Sequence, residues 1–206
     1  MNVQAAPTQE IFLFPLNTVL FPDGVLPLKV FEQRYIEMTK ICLRDDAPFG
    51  VCLIREGREV GAAALPAPVG CLASIVEWDM PQLGLFHLLA RGGRRFRTHE
   101  TRIAANQLIS ASVELLPPDP AGGDVDSLCG GLLKTIIEKV GADRFPAPIR
   151  LTDAAWVSYR LAEVLPIEAA AKQELLELDD VAARFERLRR FLAAQGLAAK
   201  PQTRDG

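Results

Sequence analysis

The stretch between residues 12 and 38 (FLFPLNTVLFPDGVLPLKVFEQRYIEM) allows only short extended segments before a helix begins. Pro15 ends a first apolar segment, Ile11 to Phe14, and Pro22-Asp23-Gly24 has the composition of a turn, with proline presetting φ and glycine accepting positive φ. The chain then resumes an extended course from Val25 to Val30. Pro27 lies inside that segment and cannot donate a ladder hydrogen bond, which predicts an edge or bulged strand.

A helix follows directly, from about Phe31 to Leu43. Apolar side chains recur at helical spacing through Tyr35, Met38 and Cys42. Glu32 and Arg34 at the helix start are interpreted as local caps and ion pairs that hold the helix to the sheet, with Glu32 favoured by the positive helix N-terminus.

The arrangement FPL-x-TVLFP-x-G-x-LPL-x-x-FE-x-RY resembles the opening of the LON domain, the N-terminal substrate-recognition domain of Lon proteases, which also occurs in free-standing bacterial proteins and in cereblon. RGGRRF at residues 91–96 is similar to the family's G-x-x-R-F hairpin. LP-x-x-x-x-x-KQ-x-LLE, from Leu165 to Glu177, is similar to its helical half. The resemblance spans about residues 10 to 195. The chain departs from a full Lon protease in having no G-x-x-x-x-G-K-[ST] loop and no room for a peptidase domain.

The pattern of apolar segments predicts an α+β fold. Short strands are expected at residues 49–54, 69–78, 85–91, 94–103 and 108–116, with Gly92-Gly93 as a two-residue hairpin turn. They predict an N-terminal β-rich lobe, a bent β-sheet or open pseudo-barrel with one inserted helix, at residues 9–116. A Pro- and Gly-rich linker at 117–123 precedes a C-terminal α-helical bundle at 124–196 and a disordered tail at 197–206. By the resemblance, both lobes form one LON-type unit.

The helical lobe has several candidate caps and one clear apolar stripe. Asp124 or Asp126 is expected to cap a helix running to Val140, and Thr152 to cap the next one. Gly130 and Gly131 either lie inside the first helix or precede its true start. In the last helix the inward stripe is Val181, Phe185, Leu188 and Leu192, and the residues expected on the solvated side are Arg184, Arg187 and Arg190.

Composition excludes several function classes. A formal net charge of -3 provides no global field for nucleic acid or an anionic membrane. No window approaches the about eighteen unbroken apolar residues that span a bilayer, and the N-terminus has no signal-peptide pattern. Four scattered cysteines and two histidines lack metal-site spacing, so we expect no metal, no cofactor, and reduced thiols in a cytoplasmic protein.

The resemblance implies a non-catalytic module that binds unfolded or partner polypeptides or acts as an adaptor in protein quality control or turnover. Large amphipathic side chains at the helix start and at the expected junction between lobes are the candidate peptide contacts, with packing between lobes as the alternative interpretation of the junction. The candidate peptide-binding residues are Phe31, Arg34, Tyr35, Trp78, Trp156 and Tyr159. The oligomeric state cannot be read from the sequence.

Two functions of other classes stay open. Cys52 or Cys71 could pair in space with His87 in a small hydrolase or transferase, although the chain has no G-x-S-x-G elbow. An arginine cluster between Arg91 and Arg102 surrounds Phe96 and could bind RNA by phosphate neutralisation and stacking. Strand alternation places these arginines on opposite faces, which disfavours a single basic surface.

Overall fold

The computed structural model of the chain describes residues 8–120 and 122–196. Contacts divide the chain into two compact units, Met1–Pro118 and Asp119–Gly206. The expected tail at residues 197–206 lies outside the described residues, as does Ala121 of the expected linker.

The first unit is built on a sheet that closes on itself. Among its described residues, 8–118, the elements are β1 (Thr8–Leu16), β2 (Val25–Val30), α1 (Gln33–Asp45), β3 (Phe49–Glu56), β4 (Leu65–Pro66), β5 (Val69–Gln82), β6 (Leu85–Ile103) and β7 (Ile109–Leu115). Hydrogen-bonded neighbours follow the order β1-β7-β6-β5-β3, and a parallel pairing of β3 with β1 closes the ring. β2 pairs with β6 outside the ring, and β4 pairs with β3. The predicted α+β class is confirmed, and the parallel pairing closes the barrel that the sequence left open.

Burial follows the strand pattern. On β7, Ile109, Ala111 and Val113 are buried, as their alternation predicts. β5 is buried on both faces between Val69 and Ala73, where β3 and β6 flank it, and is largely exposed from Ser74 onwards. The second half of β5 therefore extends beyond the barrel as one strand of a hairpin with β6.

The expected hairpin turn at Gly92-Gly93 is wrong. β6 runs without interruption from Leu85 to Ile103, and both glycines lie within it. A Cβ on Gly92 would lie 2.1 Å from the Phe21 carbonyl oxygen, so the glycine is required by the close approach of the turn at residues 21–24. Close backbone contact and a tight turn both select glycine, and the local sequence does not distinguish them.

The second unit is helical. Its elements are α2 (Ser127–Val140), a 3₁₀ turn (Ala142–Arg144), α3 (Ala154–Val164), α4 (Ala169–Glu177) and α5 (Val181–Ala194). Asp126 caps α2 by accepting the Cys129 N–H at 2.9 Å, so Gly130 and Gly131 lie inside the helix. Asp153, and not Thr152, caps α3 by accepting the Trp156 N–H at 3.1 Å. The helix begins one residue later than predicted, because Asp153 is the residue whose side-chain oxygen reaches that N–H.

Arg184, expected on the solvated face of α5, is instead in the core. Its side chain is fully buried, whereas Arg190 is exposed as predicted and Arg187 is partly exposed. The apolar stripe of α5 is also confirmed, with Phe185, Leu188 and Leu192 in the core. Arg184 was misplaced because a buried ion pair depends on its partner, Asp119, which lies 65 positions away in the sequence.

Candidate functional site

One edge of β2 is not paired with any other described strand. At its start the Gly92 N–H donates to the Gly24 carbonyl and the Asp23 N–H donates to the Gly92 carbonyl, both at 2.8 Å. Because antiparallel pairing alternates along a strand, the backbone groups of Leu26, Leu28 and Val30 point towards β6. Those of Val25, Pro27 and Lys29 point the other way. Within residues 8–120 and 122–196 no strand pairs with that edge.

A groove of about 280 Å³ lies along this strand. Phe14 and Tyr35 are buried in it and stack with their ring centroids 4.0 Å apart. Phe31 and Val60 at the rim are 58% and 56% exposed. The complete lining is Phe14, Leu16, Thr18, Leu26, Pro27, Leu28, Lys29, Val30, Phe31, Glu32, Tyr35, Glu59 and Val60. The unpaired backbone edge of β2 and the apolar groove therefore lie side by side.

Arg34 links the chain segments that form the walls of this groove. Its guanidinium donates to the carbonyl oxygens of Glu59, at 3.1 Å, and Gln107, at 3.2 Å. It also pairs with the Glu32 carboxylate at 3.2 Å, and Glu32 in turn accepts the Gly61 N–H at 3.3 Å. These contacts attach the loop that carries Val60 to the start of α1. The ion pair predicted between Glu32 and Arg34 is present, whereas the Glu32 side chain forms no cap hydrogen bond with α1.

The tyrosine of the groove is in an apolar environment. Burial raises the pKa of Tyr35 to about 12, with the adjacent Arg34 opposing the shift. The Arg34 guanidinium lies 4.5 Å from the centroid of the Tyr35 ring. At pH 7 the Tyr35 side chain is therefore uncharged, and its ring is suited to apolar contact and not to proton transfer.

Three of the six candidate residues meet here. Phe31 and Tyr35 line the groove, and Arg34 supports it. The remaining three lie elsewhere. Trp78 is on the exposed half of β5, with its ring 5.9 Å from that of Phe86.

Trp156 and Tyr159 lie inside the second unit, 3% and 2% exposed. The Tyr159 hydroxyl donates to Asp119 at 2.6 Å, and the Arg184 guanidinium stacks 3.9 Å from the Tyr159 ring centroid. The indole of Trp156 packs 6.0 Å from the Arg160 guanidinium. These aromatic side chains are part of the core of their unit and offer little surface to a peptide.

Sequence reasoning missed several groove residues. Glu59 and Val60 belong to the connection between β3 and β4, and no local pattern marks them as neighbours of β2. Only Pro27 pointed to Leu28 and Lys29, because a proline between apolar residues predicts an edge strand. The edge was therefore predictable, and the groove beside it was not.

The thiols do not support a cysteine nucleophile. All four cysteines are buried. Burial raises the pKa of Cys52 and of Cys129 to about 12 and that of Cys42 to about 11, so these residues are neutral thiols near pH 7. Among the described residues no cluster of His, Cys, Asp and Glu could hold a metal ion. In the same part of the chain, no helix has the length and apolar character needed to cross a membrane.

The arginines of β6 do not form one surface. Arg95 is buried, and Arg94 donates to the Leu116 carbonyl at 2.9 Å. Arg91 pairs with Asp23 at 3.4 Å. Arg102 lies 3.9 Å from each of two glutamates, Glu10 and Glu100. Carboxylates and carbonyls of the protein therefore compete with phosphate for this cluster.

Comparison with known proteins gives a family match over nearly the whole chain. The model of the ATP-dependent protease La (LON) substrate-binding domain matches residues 10–194. Lon protease 2 of Myxococcus xanthus is 31% identical over 192 residues, which are 86% of this chain and 23% of that protein. Lon protease 2 of Herpetosiphon aurantiacus is 28% identical over 197 residues, 91% of this chain and 24% of that protein. The chain thus spans about a quarter of the length of these relatives.

Solved structures give the same fold. The Lon N-terminal domain protein from Xanthomonas campestris superposes with a TM-score of 0.73 at 35% identity, covering 89% of this chain and 98% of that one. The N-terminal domain of Lon protease from the Mycobacterium avium complex superposes with a TM-score of 0.66 at 18% identity, covering 91% and 98%.

Proposed function

Because the chain belongs to the family of LON substrate-binding domains, we propose that it binds extended polypeptide segments at the open edge of β2 and in the groove beside it, without catalysing a reaction. The observation that carries this proposal is the coincidence of an unpaired strand edge with an exposed aromatic residue, Phe31, above an apolar groove. Unfolded chains expose both complementary features, free backbone groups and apolar side chains.

The backbone would contribute by strand addition. Val25 and Lys29 each offer an N–H and a carbonyl to an incoming strand, and Pro27 offers only a carbonyl. The missing donor keeps the paired stretch short. A proline on an edge strand also discourages edge-to-edge aggregation. The site is therefore suited to reversible capture.

The side chains would contribute selectivity. A peptide in strand conformation directs alternate side chains to one face, so the groove would receive every second residue. Its walls are aromatic and aliphatic, and its volume of about 280 Å³ suits about one or two side chains and is just below the range of typical small-molecule sites, about 300–1,000 Å³. We therefore expect a preference for segments with aromatic or branched aliphatic residues at alternate positions.

A role as an adaptor in protein turnover is the finer part of the proposal. The relatives named above are proteases, and this chain matches about a quarter of their length. A module that captures unfolded segments would increase their local concentration near a protease that it contacts.

The first experiment measures binding of the full chain to an array of short labelled peptides and to a permanently unfolded reporter protein. Phe31→Ser is the test variant, and Ile103→Ser, which removes a comparably exposed apolar residue (59%) from β6, is the matched control. We expect Phe31→Ser to weaken binding of aromatic-rich peptides at least about fivefold, the order of one partly buried aromatic contact, and Ile103→Ser to leave it unchanged.

A second probe tests the strand edge. Peptides that are N-methylated at alternate residues lose donors on one edge only, so one of the two methylation registers should bind markedly more weakly than the other. Equal binding of both registers would exclude strand addition. Equal binding by Phe31→Ser and Ile103→Ser would exclude the groove itself.

A further inference from the structure

The side chains of β2 alternate between two faces of the sheet. Leu28 and Val30 are buried on the face that lines the groove, whereas Pro27 and Lys29 are exposed on the other, which we call the outer face. A strand added to the open edge of β2 would alternate in the same way, with every second side chain in the groove. The residues between them would lie next to the side chains of the outer face.

The outer face carries a cation directly beside the open edge. Lys29 is exposed, and no carboxylate among the described residues forms an ion pair with it. The strand register places His87 of β6 next to Lys29, and Asp79 of β5 next to His87. With strands about 4.8 Å apart, the Asp79 backbone lies about 10 Å from that of Lys29, and the paired residue of an added strand would lie at about half that distance. Lys29 is therefore available to a carboxylate on a bound segment.

The other end of β2 differs in charge. Val25 lies at the edge there, and the cation next to it in the register is Arg91. The Arg91 guanidinium is already paired with the Asp23 carboxylate, 3.4 Å away. A positive charge without a carboxylate partner therefore lies beside the end of β2 that carries Lys29, so a charge preference should concern one end of a bound segment.

The groove carries charge of the opposite sign. Glu32 and Glu59 both line it. Glu32 pairs with Arg34, whereas Glu59 accepts the Asn17 N–H at 2.6 Å and forms no ion pair with any other described residue. An acidic side chain directed into the groove would lose its water and meet the Glu59 carboxylate. An acidic side chain on the outer face would instead stay hydrated and meet Lys29.

We propose that Lys29 selects segments with an aspartate or glutamate on the outer face, between the apolar residues that enter the groove. The selection rests on the proposed binding at the β2 edge, and it specifies the chemistry of the segments bound there. Cross-strand pairs of opposite charge are favourable and like charges directly opposite each other are unfavourable, both by modest amounts. Lys29 therefore adjusts selectivity, while the groove and the backbone supply most of the affinity.

The test uses labelled peptides with one phenylalanine as the groove anchor in a background of serine and threonine. The residue adjacent to the phenylalanine is glutamate, glutamine or lysine, on its N-terminal side in one series and on its C-terminal side in another. Binding to the full chain is followed by fluorescence anisotropy. In one series we expect the glutamate peptide to bind about fivefold more tightly than the lysine peptide, with glutamine between them, because an attraction replaces a repulsion of similar size. High salt should reduce the difference.

Charge reversal tests whether Lys29 is responsible. Lys29→Glu should reverse the order, so that the lysine peptide binds most tightly. Lys40→Glu is the matched control, since Lys40 is exposed on α1 outside the groove lining and the substitution changes the net charge equally. It should leave the order unchanged. Both side chains are exposed, so the variants should fold, which circular dichroism verifies.

Three results would overturn the proposal. Equal affinity for the three peptides in both series, with binding that Phe31→Ser still weakens, would remove the role of Lys29 and leave the proposed function intact. A reversal produced equally by Lys40→Glu would assign the preference to net charge. Absence of binding by every peptide would remove the β2 site and the selection by Lys29 together.

Discussion

Arg34 in the barrel unit and Arg184 in the helical unit make the same kinds of contact. Each guanidinium is buried, pairs with a carboxylate, donates to backbone carbonyls and lies over a tyrosine ring. Arg34 joins Glu59 and Gln107, 25 and 73 positions away. Arg184 reaches Asp119, 65 positions away, and the carbonyls of Leu175 and Leu178.

The two sites differ in what surrounds them. Glu32, the carboxylate partner of Arg34, keeps 20% of its side chain exposed, and the Tyr35 ring forms a wall of the open groove. Asp119, the partner of Arg184, is 8% exposed, and Tyr159 is in the core. The same arrangement therefore lies beside an open groove in the barrel unit and within the core of the helical unit. Substitutions at Arg184 should change stability alone, and those at Arg34 should change stability and binding.

Arg184→Met should have the largest effect. It leaves the Asp119 carboxylate buried without its cation, which costs about 3–5 kcal/mol in comparable cases. We expect a loss of this size in urea unfolding, measured in a Trp78→Phe background so that Trp156 alone reports on the helical unit. Peptide binding by the folded variant should be unchanged. A loss below about 1 kcal/mol would show that the pair is not closed to water as the structure indicates.

Arg34→Met should cost less, about 2–3 kcal/mol, because Glu32 can still be partly hydrated once its cation is removed. The loop at residues 59–61 loses its attachment to α1, so binding of aromatic-rich peptides should fall as well. Unfolding in a Trp156→Phe background, where Trp78 reports on the barrel unit, gives the first quantity, and peptide titration gives the second. Unchanged peptide affinity in the folded variant would remove Arg34 from the support of the groove.

The two tyrosines provide a matched pair. Tyr159→Phe removes a hydroxyl that donates to a buried carboxylate at 2.6 Å, and should cost about 1.5–2 kcal/mol. Tyr35→Phe removes no hydrogen bond among those found for the described residues and should change stability by less than about 0.5 kcal/mol. Chemical unfolding of both variants checks the difference. Equal losses would contradict the distinction between a closed site and an open one.

Alkaline pH should give the most gradual effect, mainly in the barrel unit. Burial raises the pKa of Cys52 from 9.0 to about 12, and it raises those of Cys42 and Tyr35 in the same unit. Between the unfolded and folded pKa values the unfolded chain has released a proton that the folded protein retains. Stability is therefore level below about pH 9 and falls above it, by up to about 1.4 kcal/mol per pH unit for each group.

Cys52→Ala separates the thiol from other alkaline effects. Unfolding followed as a function of pH should show a shallower decline above pH 9 in this variant than in the parent protein. Cys129→Ala is the matched control in the helical unit, and it should leave the decline of the barrel unit unchanged. A slope that Cys52→Ala does not alter would assign the alkaline loss to other groups.

Much of the candidate site could be predicted from local residues. Pro27 within an apolar segment indicated the edge strand, and Phe31 and Tyr35 were recognised as candidates at the start of the helix. Glu59 and Val60 were not predicted, because they reach the groove through the Arg34 contacts to the Glu59 carbonyl and through Glu32. Trp156 and Tyr159 show the converse case. Their size and amphipathic character fit a binding surface and a core equally well, and only their surroundings distinguish the two.

The sequence by itself determined the order and type of most elements, the early edge strand, the inward stripe of α5 and the LON family. These follow from local propensity, apolar periodicity and the positions of proline. The tertiary structure decided that β3 pairs with β1 to close the barrel, that β6 passes straight through Gly92-Gly93 and that Arg184 is buried. Each depends on groups distant along the chain: a strand partner, the Phe21 carbonyl and the Asp119 carboxylate. Local sequence patterns do not indicate such partners, because contacts with these distant groups contribute to the free energy only when the chain has folded.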